Sequence, residues 1–175
     1  MDVSYRWLKA LAPGIQGTPR EVADRLAMLG APVDEIVDLG AGLGDVVVAR
    51  VDAVRQHPNA DRLRLCTVTA GAGQPLQVVC GAPQIDAGTC YPFAPAGSTL
   101  PGGLQIGRAK LRGELSEGML CSARELGLGR DHEGIMALEG DFRPGEPFRE
   151  AMGLDDWRLV VDVTPNRGEL LSHVG

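Results

Sequence analysis

Three basic residues alternate along one stretch of the chain, at positions Arg108, Lys110 and Arg112. If this stretch is a β-strand, all three side chains lie on one face, because successive residues of a strand point to opposite sides. Such a row of cations could bind phosphate groups, although the solvated face of a sheet alternates in the same way. Arg62 and Arg64 form a second pair with the same spacing. These five side chains are the first candidates for a site that binds a polyanion.

The segment from His57 to Leu63, here called the anchor loop, is predicted to be a turn between two strands. Pro58 fixes its own φ and disfavours a helical conformation for His57. Asn59 and Asp61 can accept hydrogen bonds from nearby backbone amides, which stabilises a turn. Turn formation therefore accounts for every residue type in the anchor loop except His57.

The chain shows no pattern that is typical of an active site. His57 and His132 could act as acid–base or metal-binding groups, but the segment around His132 lacks the second histidine of a zinc-binding helix. No serine or cysteine lies in a nucleophile pattern. The glycine-rich residues 40–44 precede a valine-rich strand instead of opening a helix, which argues against a dinucleotide-binding loop. We therefore expect neither catalysis nor a cofactor in this chain.

The candidate cations lie in a region of short predicted strands. Apolar and β-branched runs bounded by glycine and proline predict strands at 46–54, 63–69, 76–80, 89–93 and 104–112. Pro92 places the fourth of these strands at a sheet edge or at a bulge. Five short strands in a segment of this size are typical of an OB-type barrel, with an SH3-like barrel as the alternative. Barrels of this class bind single-stranded nucleic acid through charge neutralisation and stacking.

Predicted helices and two predicted strands lie outside the barrel region, on either side of it in the sequence. Ser4 caps a short first helix, and a capping box starts a second helix at Thr18. Strands are predicted at 33–39 and 157–163, and a helix begins at Glu169 just before the sequence stops, which indicates a fragment of a longer protein. The expected fold is mainly β with α, a five-stranded OB-fold barrel (residues 41–151) inserted into a small split α+β domain (residues 1–40 and 152–175).

Composition limits the kind of polyanion site that the chain can carry. The net charge is −6, and residues outside 41–151 carry −4 of it, so a phosphate site must be a local patch on the barrel region. Aromatic residues are scarce at 4%, which favours shape and phosphate contacts over base stacking. The widely spaced cysteines predict reduced thiols in a cytoplasmic protein. We expect no signal peptide, because no basic start leads into an apolar core, and no membrane span, because no apolar run reaches about eighteen residues.

Five collinear motifs lie in the barrel region: His57-Pro58-Asn59-Ala60-Asp61-Arg62-Leu63, Val79-Cys80-Gly81-Ala82-Pro83, Leu100-Pro101-Gly102-Gly103, Lys110-Leu111-Arg112-Gly113 and Ser116-Glu117-Gly118-Met119-Leu120-Cys121-Ser122. Two more flank it: Val3-Ser4-Tyr5-Arg6-Trp7-Leu8 and Val163-Thr164-Pro165-Asn166-Arg167. Over essentially the whole chain, these motifs resemble the N-terminal region of the bacterial phenylalanyl-tRNA synthetase β subunit. The barrel motifs alone also occur in free-standing tRNA-binding proteins. The two flanking motifs are therefore the ones that distinguish the synthetase from those proteins. The chain departs from the family pattern at Gly168-Glu169-Leu170.

The resemblance implies a tRNA-binding OB-fold domain in a heterotetramer of two α and two β subunits. That enzyme charges tRNA(Phe) with the use of ATP and Mg²⁺ at a site in the α subunit, so this chain is expected to be non-catalytic. The motifs and the basic residues together give the candidate RNA-binding residues Asn59, Asp61, Arg62, Arg64, Arg108, Lys110, Arg112, Ser116 and Met119. A scaffold role for the barrel is the alternative, favoured by the acidic balance and the few aromatics. A free-standing tRNA-binding protein and an independent enzyme are further alternatives.

Overall fold

The computed structural model describes residues 1–130 and 134–171. His132 and the end of the helix predicted from Glu169 lie outside the described residues. In chain order, the elements are β1 (Asp2–Ser4), α1 (Tyr5–Leu11), α2 (Pro19–Met28), β2 (Val33–Asp38), β3 (Val47–Gln56), β4 (Arg64–Thr69), β5 (Leu76–Cys80), β6 (Cys90–Pro95), β7 (Ala109–Leu111), β8 (Glu114–Ser116), β9 (Gly118–Leu120), α3 (Phe148–Ala151), β10 (Trp157–Val161) and a 3₁₀ helix (Gly168–Leu171). Within the described part of the chain, no helix is both long and apolar enough to span a membrane.

The chain divides into two compact units, one of residues 1–40 with those from 154 onward, and one of residues 41–153. In the first unit, β10 lies between β1 and β2 in an antiparallel sheet, so both predicted flanking strands are present and pair with each other. The capping box at the start of α2 is also confirmed, since Glu21 N–H donates to Thr18 Oγ1 and Thr18 N–H donates to Glu21 Oε2. Val22 packs with Leu159 in the core of this unit.

The second unit is a five-stranded antiparallel barrel with the strand order β5-β4-β3-β6-β9. Glu117 N–H donates to Gln77 O at 2.9 Å, which links the two ends of this order and nearly closes the barrel. Alternating apolar side chains fill the interior, as the period of a strand requires. The buried core includes Val51, Val68, Val78, Phe93 and Leu120. The mainly β fold with an OB-type barrel is therefore confirmed.

The prediction that residues 104–112 form the fifth strand of the barrel was wrong. Only β7 forms there, and it pairs with β8 in a separate two-stranded hairpin, residues 109–116, here called the basic hairpin. Residues 104–106 hydrogen-bond instead to the neighbouring loop, since Leu100 N–H donates to Leu104 O and Ile106 N–H donates to Ser98 O. The fifth barrel strand is β9, where a Cβ on Gly118 would lie 2.5 Å from the Phe93 ring. Glycine therefore permits the close approach of β9 to β6.

The expectation that Pro92 lies on an edge strand or at a bulge was also wrong. Strand β6 runs in regular register between β3 and β9. Pro92 lacks an N–H and so cannot donate to Cys121 O, which directly follows β9. Met136 N–H donates to that oxygen at 3.0 Å, and Cys121 N–H donates to Pro92 O at 2.9 Å. A loop thus supplies the hydrogen bond that the proline cannot make.

The beginning and the end of the barrel unit are hydrogen-bonded neighbours. Phe148 N–H donates to Val46 O at 3.0 Å, and Val48 N–H donates to Glu146 O at 2.9 Å. Gly145 N–H donates to Val48 O at 2.7 Å. The chain therefore enters and leaves the barrel along the same edge of β3.

Candidate nucleic-acid interface

His57 joins the anchor loop to the basic hairpin. The residue is only 2% exposed, and both ring nitrogens are hydrogen-bonded. Asn59 N–H donates to Nδ1 at 3.0 Å, while Nε2 lies 3.1 Å from Leu111 O. Because Nδ1 accepts a hydrogen bond, the neutral ring carries its proton on Nε2 and donates it to Leu111 O. His57, the residue that turn chemistry did not explain, thus contacts a strand 54 positions further along the chain.

A second side chain of the anchor loop binds the turn of the basic hairpin. Asn59 Nδ2 donates to Arg112 O at 3.3 Å. Together with the His57–Leu111 bond, this contact occupies the carbonyl groups of two consecutive hairpin residues. We call the pair of hydrogen bonds the clasp. The clasp brings two motifs that are far apart in the sequence into one site.

The side chains of Gln56 and Arg64, which flank the anchor loop, hold its conformation. Gln56 Nε2 donates to Ala60 O at 3.2 Å and to Asp61 O at 3.0 Å. Arg64 lies at the start of β4, where its guanidinium group donates to Gln56 Oε1 and to Asp61 O. Arg64 is therefore engaged in supporting the loop, and Arg62 precedes the strand instead of sharing a strand face with it.

Arg112 occupies the first position of a two-residue turn in the basic hairpin. Leu111 pairs with Glu114 on either side of Arg112 and Gly113. Both turn residues have positive φ, 51° for Arg112 and 101° for Gly113, as in a type I′ turn. Arg112 is the one non-glycine residue with positive φ in the described part of the chain. The predicted row of three cations on one strand face is therefore absent, since only Lys110 lies within β7.

The clasp creates a recess with a cationic rim. Asn59, Asp61 and Arg62 line it from the anchor loop, and Arg112 lines it from the hairpin. Within residues 1–130 and 134–171, neither of these two arginines pairs with a carboxylate. The Asp61 carboxylate in the same recess can accept hydrogen bonds from base amino groups or ribose hydroxyls. The arrangement can therefore hold a phosphate beside a polar group of a nucleotide.

Comparison with known proteins identifies this type of barrel. Residues 46–147 match the family model described as "Putative tRNA binding domain". The chain belongs to this family of tRNA-binding domains. The phenylalanine–tRNA ligase β subunits of Syntrophus aciditrophicus and Anaeromyxobacter dehalogenans are 49% and 48% identical to it over all of its 175 residues. The chain spans 22% of the length of these two relatives. A solved structure, the C-terminal domain of Plasmodium vivax p43, superposes with a TM-score of 0.44 at 20% identity, over 62% of this chain and 61% of that one.

The remaining basic candidates of the tRNA-binding domain occupy different environments. Arg108 forms an ion pair with Glu117 at 3.6 Å and lies beside Leu76 and Ile106, away from the recess. Lys110 is exposed on the basic hairpin and has no ion-pair partner among the described residues. Lys110 is therefore a free positive charge on the basic hairpin, whereas part of the Arg108 charge is already neutralised.

Ser116 and Met119 do not lie in the recess. Ser116 is 3% exposed, and its hydroxyl donates to Gly118 O at 2.9 Å and accepts from Val79 N–H at 3.1 Å. This residue therefore connects β8 to β5 and helps to close the barrel. Met119 is half-buried and lines a separate cavity with Val79–Pro83 and Arg124. The motif spacing gave no indication of this difference in burial.

The barrel exposes few aromatic side chains on which nucleotide bases could stack. Of its aromatic residues, Phe93 and Phe148 are completely buried and Tyr91 is nearly so. Tyr91 Oη instead accepts a hydrogen bond from Asp86 N–H at 3.0 Å. Phe142 is half-buried. Little aromatic surface of the barrel is therefore available for base stacking.

Proposed function

We propose that this chain is the tRNA-binding part of the β subunit of a phenylalanine–tRNA ligase. In this proposal the subunit binds tRNA(Phe) and assembles with an α subunit and a second β subunit in a cytoplasmic α2β2 enzyme. That enzyme uses ATP and Mg²⁺ for aminoacylation, and the present chain contributes no catalytic group. The 49% identity to a β subunit over the whole chain supports this assignment. No cluster of metal-ligating residues occurs in the part of the chain that the structure describes.

We also propose that the recess between the anchor loop and the basic hairpin is the tRNA contact. The observation that carries this proposal is the juxtaposition of Arg62 and Arg112, both without a carboxylate partner in the described chain, on one recess. Unpaired guanidinium groups attract phosphate without first breaking an ion pair. Lys110 adds a third cation, and Asn59 and Asp61 supply polar groups. Arg64, Arg108 and Ser116 contribute through the structure of the barrel in this proposal.

The test is titration with tRNA at several salt concentrations. If Arg62, Lys110 and Arg112 each neutralise one phosphate, log K falls with log salt with a slope of about −2. The variant Arg62→Ala/Lys110→Ala/Arg112→Asn should bind more weakly and lose most of this slope. Asn at position 112 tolerates the left-handed conformation better than Ala. The free energy of unfolding should change by no more than about 0.5 kcal/mol per exposed cation.

A matched control removes three cations from the other unit. Arg6, Arg20 and Arg158 are exposed and form ion pairs with aspartates. The variant Arg6→Ala/Arg20→Ala/Arg158→Ala changes the net charge by the same amount, so its salt slope should remain that of the wild type. Equal affinity and slope for the recess variant and the wild type would remove the recess from the proposal.

A scaffold function is the second candidate, in which the barrel mainly contacts another protein. Leu104, Leu111 and Leu115 are exposed by 40% or more on or near the basic hairpin, and exposed leucines suit protein contacts. The net charge of −6 also disfavours nucleic acid. The same titration separates the two candidates, because a scaffold would bind tRNA weakly and the recess substitutions would not change its affinity.

A further inference from the structure

We infer that His57 is a positioning residue for tRNA binding. It does not contact RNA itself, but it holds the turn of the basic hairpin so that Arg112 stands beside Arg62. This inference rests on the proposed tRNA contact at the recess. It assigns a role to the anchor loop that differs from direct recognition.

The burial of His57 excludes it as a direct contact. The ring is 2% exposed, and its two nitrogens are occupied by Asn59 N–H and Leu111 O. A ligand in the recess therefore has no free polar atom of His57 to bind. The ring can act on the ligand only through the position of the hairpin.

The hairpin turn needs such support because Arg112 adopts an unfavourable conformation. A φ of 51° suits glycine, asparagine or aspartate at this turn position, and an arginine there is strained. Strained residues persist where the surrounding structure fixes them, and they are concentrated at functional sites. The clasp fixes the carbonyl groups of Leu111 and Arg112 directly. The chain thus combines a strained arginine with two side chains that hold its backbone.

Besides the clasp, the contacts that hold the basic hairpin in place run through its second strand, β8. It is a two-stranded ribbon outside the barrel sheet, and such ribbons are marginally stable on their own. Gln77 Nε2 donates to Glu114 Oε2 and Leu115 O, and Val79 N–H donates to Ser116 Oγ, which ties β8 to β5 along its length. The clasp supplies contacts on the other side of the turn, at Leu111 O and Arg112 O.

The experiment is a double-mutant cycle on the full chain with tRNA as the ligand. Arg112→Asn should weaken binding about tenfold, the size expected for one charge-assisted contact. His57→Ala should weaken binding by a similar factor, but it should add less than about twofold in the Arg112→Asn background, because it acts through Arg112. His57→Gln should recover part of the affinity, since its amide can donate to Leu111 O. Val68→Ala, a core substitution away from the clasp, should lower stability and leave the affinity unchanged.

Backbone hydrogen exchange tests the positioning itself, without RNA. In His57→Ala, the amides of residues 109–116 should exchange faster, while those of β3 and β4 stay protected. Unchanged exchange in the hairpin would overturn the inference, whatever happens to tRNA binding. Full additivity of His57→Ala with Arg112→Asn would also overturn it, because His57 would then act on RNA by another route. The recess proposal fails separately if Arg62→Ala and Arg112→Asn both leave the affinity unchanged.

Discussion

The cysteine side chains show how burial controls chemistry at single residues. All four thiols are free, and Cys66, Cys80 and Cys121 are buried. Burial raises the pKa of Cys66 and of Cys121 to about 12, and it also raises the pKa of Cys80 and Cys90. Thiols of this kind pack as small apolar side chains and react slowly.

Alkylation with iodoacetamide at pH 8 should therefore distinguish the four cysteines. On the order of one Cys66 or Cys121 side chain in ten thousand is thiolate at that pH, because both pKa values are about 12. The half-buried Cys90 should be labelled first in the native protein, and the buried three only after unfolding in urea. Peptide mass spectrometry gives the order of labelling. Rapid native labelling of Cys66 would contradict this account.

The recess shows which parts of a site can be predicted at the residue scale. The residue types and the motifs pointed to Asn59, Arg62 and Arg112, and the structure places these three together. The sequence alone did not reveal the role of His57, because its partner Leu111 is 54 positions away. Contacts between distant segments depend on the three-dimensional fold, and local spacing does not encode them.

At the scale of elements, one carboxylate organises the start of α1. Asp156 is 5% exposed, and it accepts hydrogen bonds from Ser4 Oγ, Arg6 N–H and Trp157 N–H. Burial alone would raise the pKa of Asp156, but these hydrogen bonds and the nearby Arg6 charge lower it below the usual range. The ionised side chain therefore ties β1, α1 and β10 together.

Asp156→Asn should destabilise the first unit by about 2 kcal/mol at neutral pH, because the neutral amide accepts fewer and weaker hydrogen bonds. The folded-state pKa of Asp156 is lowered, so its contribution is complete above the unfolded pKa of about 3.9 and is lost as pH falls through the folded value. The stability difference between wild type and variant should therefore shrink below about pH 4. Both tryptophans, Trp7 and Trp157, lie in this unit, so fluorescence during urea titration reports on it.

A stability difference that stays constant down to pH 2 would contradict this role of Asp156. Asp155→Asn is the matched control, because Asp155 is exposed and its ion pair with Arg6 lies at the surface. Its effect should stay below about 1 kcal/mol at every pH.

Elements with local signals were predicted better than elements without them. The capping box at Thr18 lies within four residues and was predicted correctly. The alternation from 104 to 112 matched the pattern of a strand, but the barrel uses Gly118–Leu120 instead. That strand is three residues long and depends on the close packing of Gly118 on Phe93. Such packing requires knowledge of the neighbouring strand, which periodicity cannot supply.

At the scale of the whole molecule, the barrel unit has its own apolar core and contains every residue of the proposed tRNA contact. We propose that it is an insertion into the split unit. Residues 41–153 expressed alone should then unfold cooperatively in urea and bind tRNA as tightly as the full chain, within about threefold. Tyr91 is the single tyrosine of this segment, which contains no tryptophan, so its fluorescence follows unfolding. A non-cooperative transition with strong dye binding would show that the barrel depends on the flanking unit.

The paired ends of the barrel also bear on how such a unit could be transferred between genes. Because Val46 and Phe148 are hydrogen-bonded neighbours, a recipient protein would have to join only two adjacent points of its own surface. The entropy of loop closure rises slowly with loop length, and a folded insert with adjacent ends restricts its host little more than a short loop. Recombination could therefore add this RNA-binding function at an exposed turn without rebuilding the recipient core. Its folding and its new activity would be acquired in one genetic event.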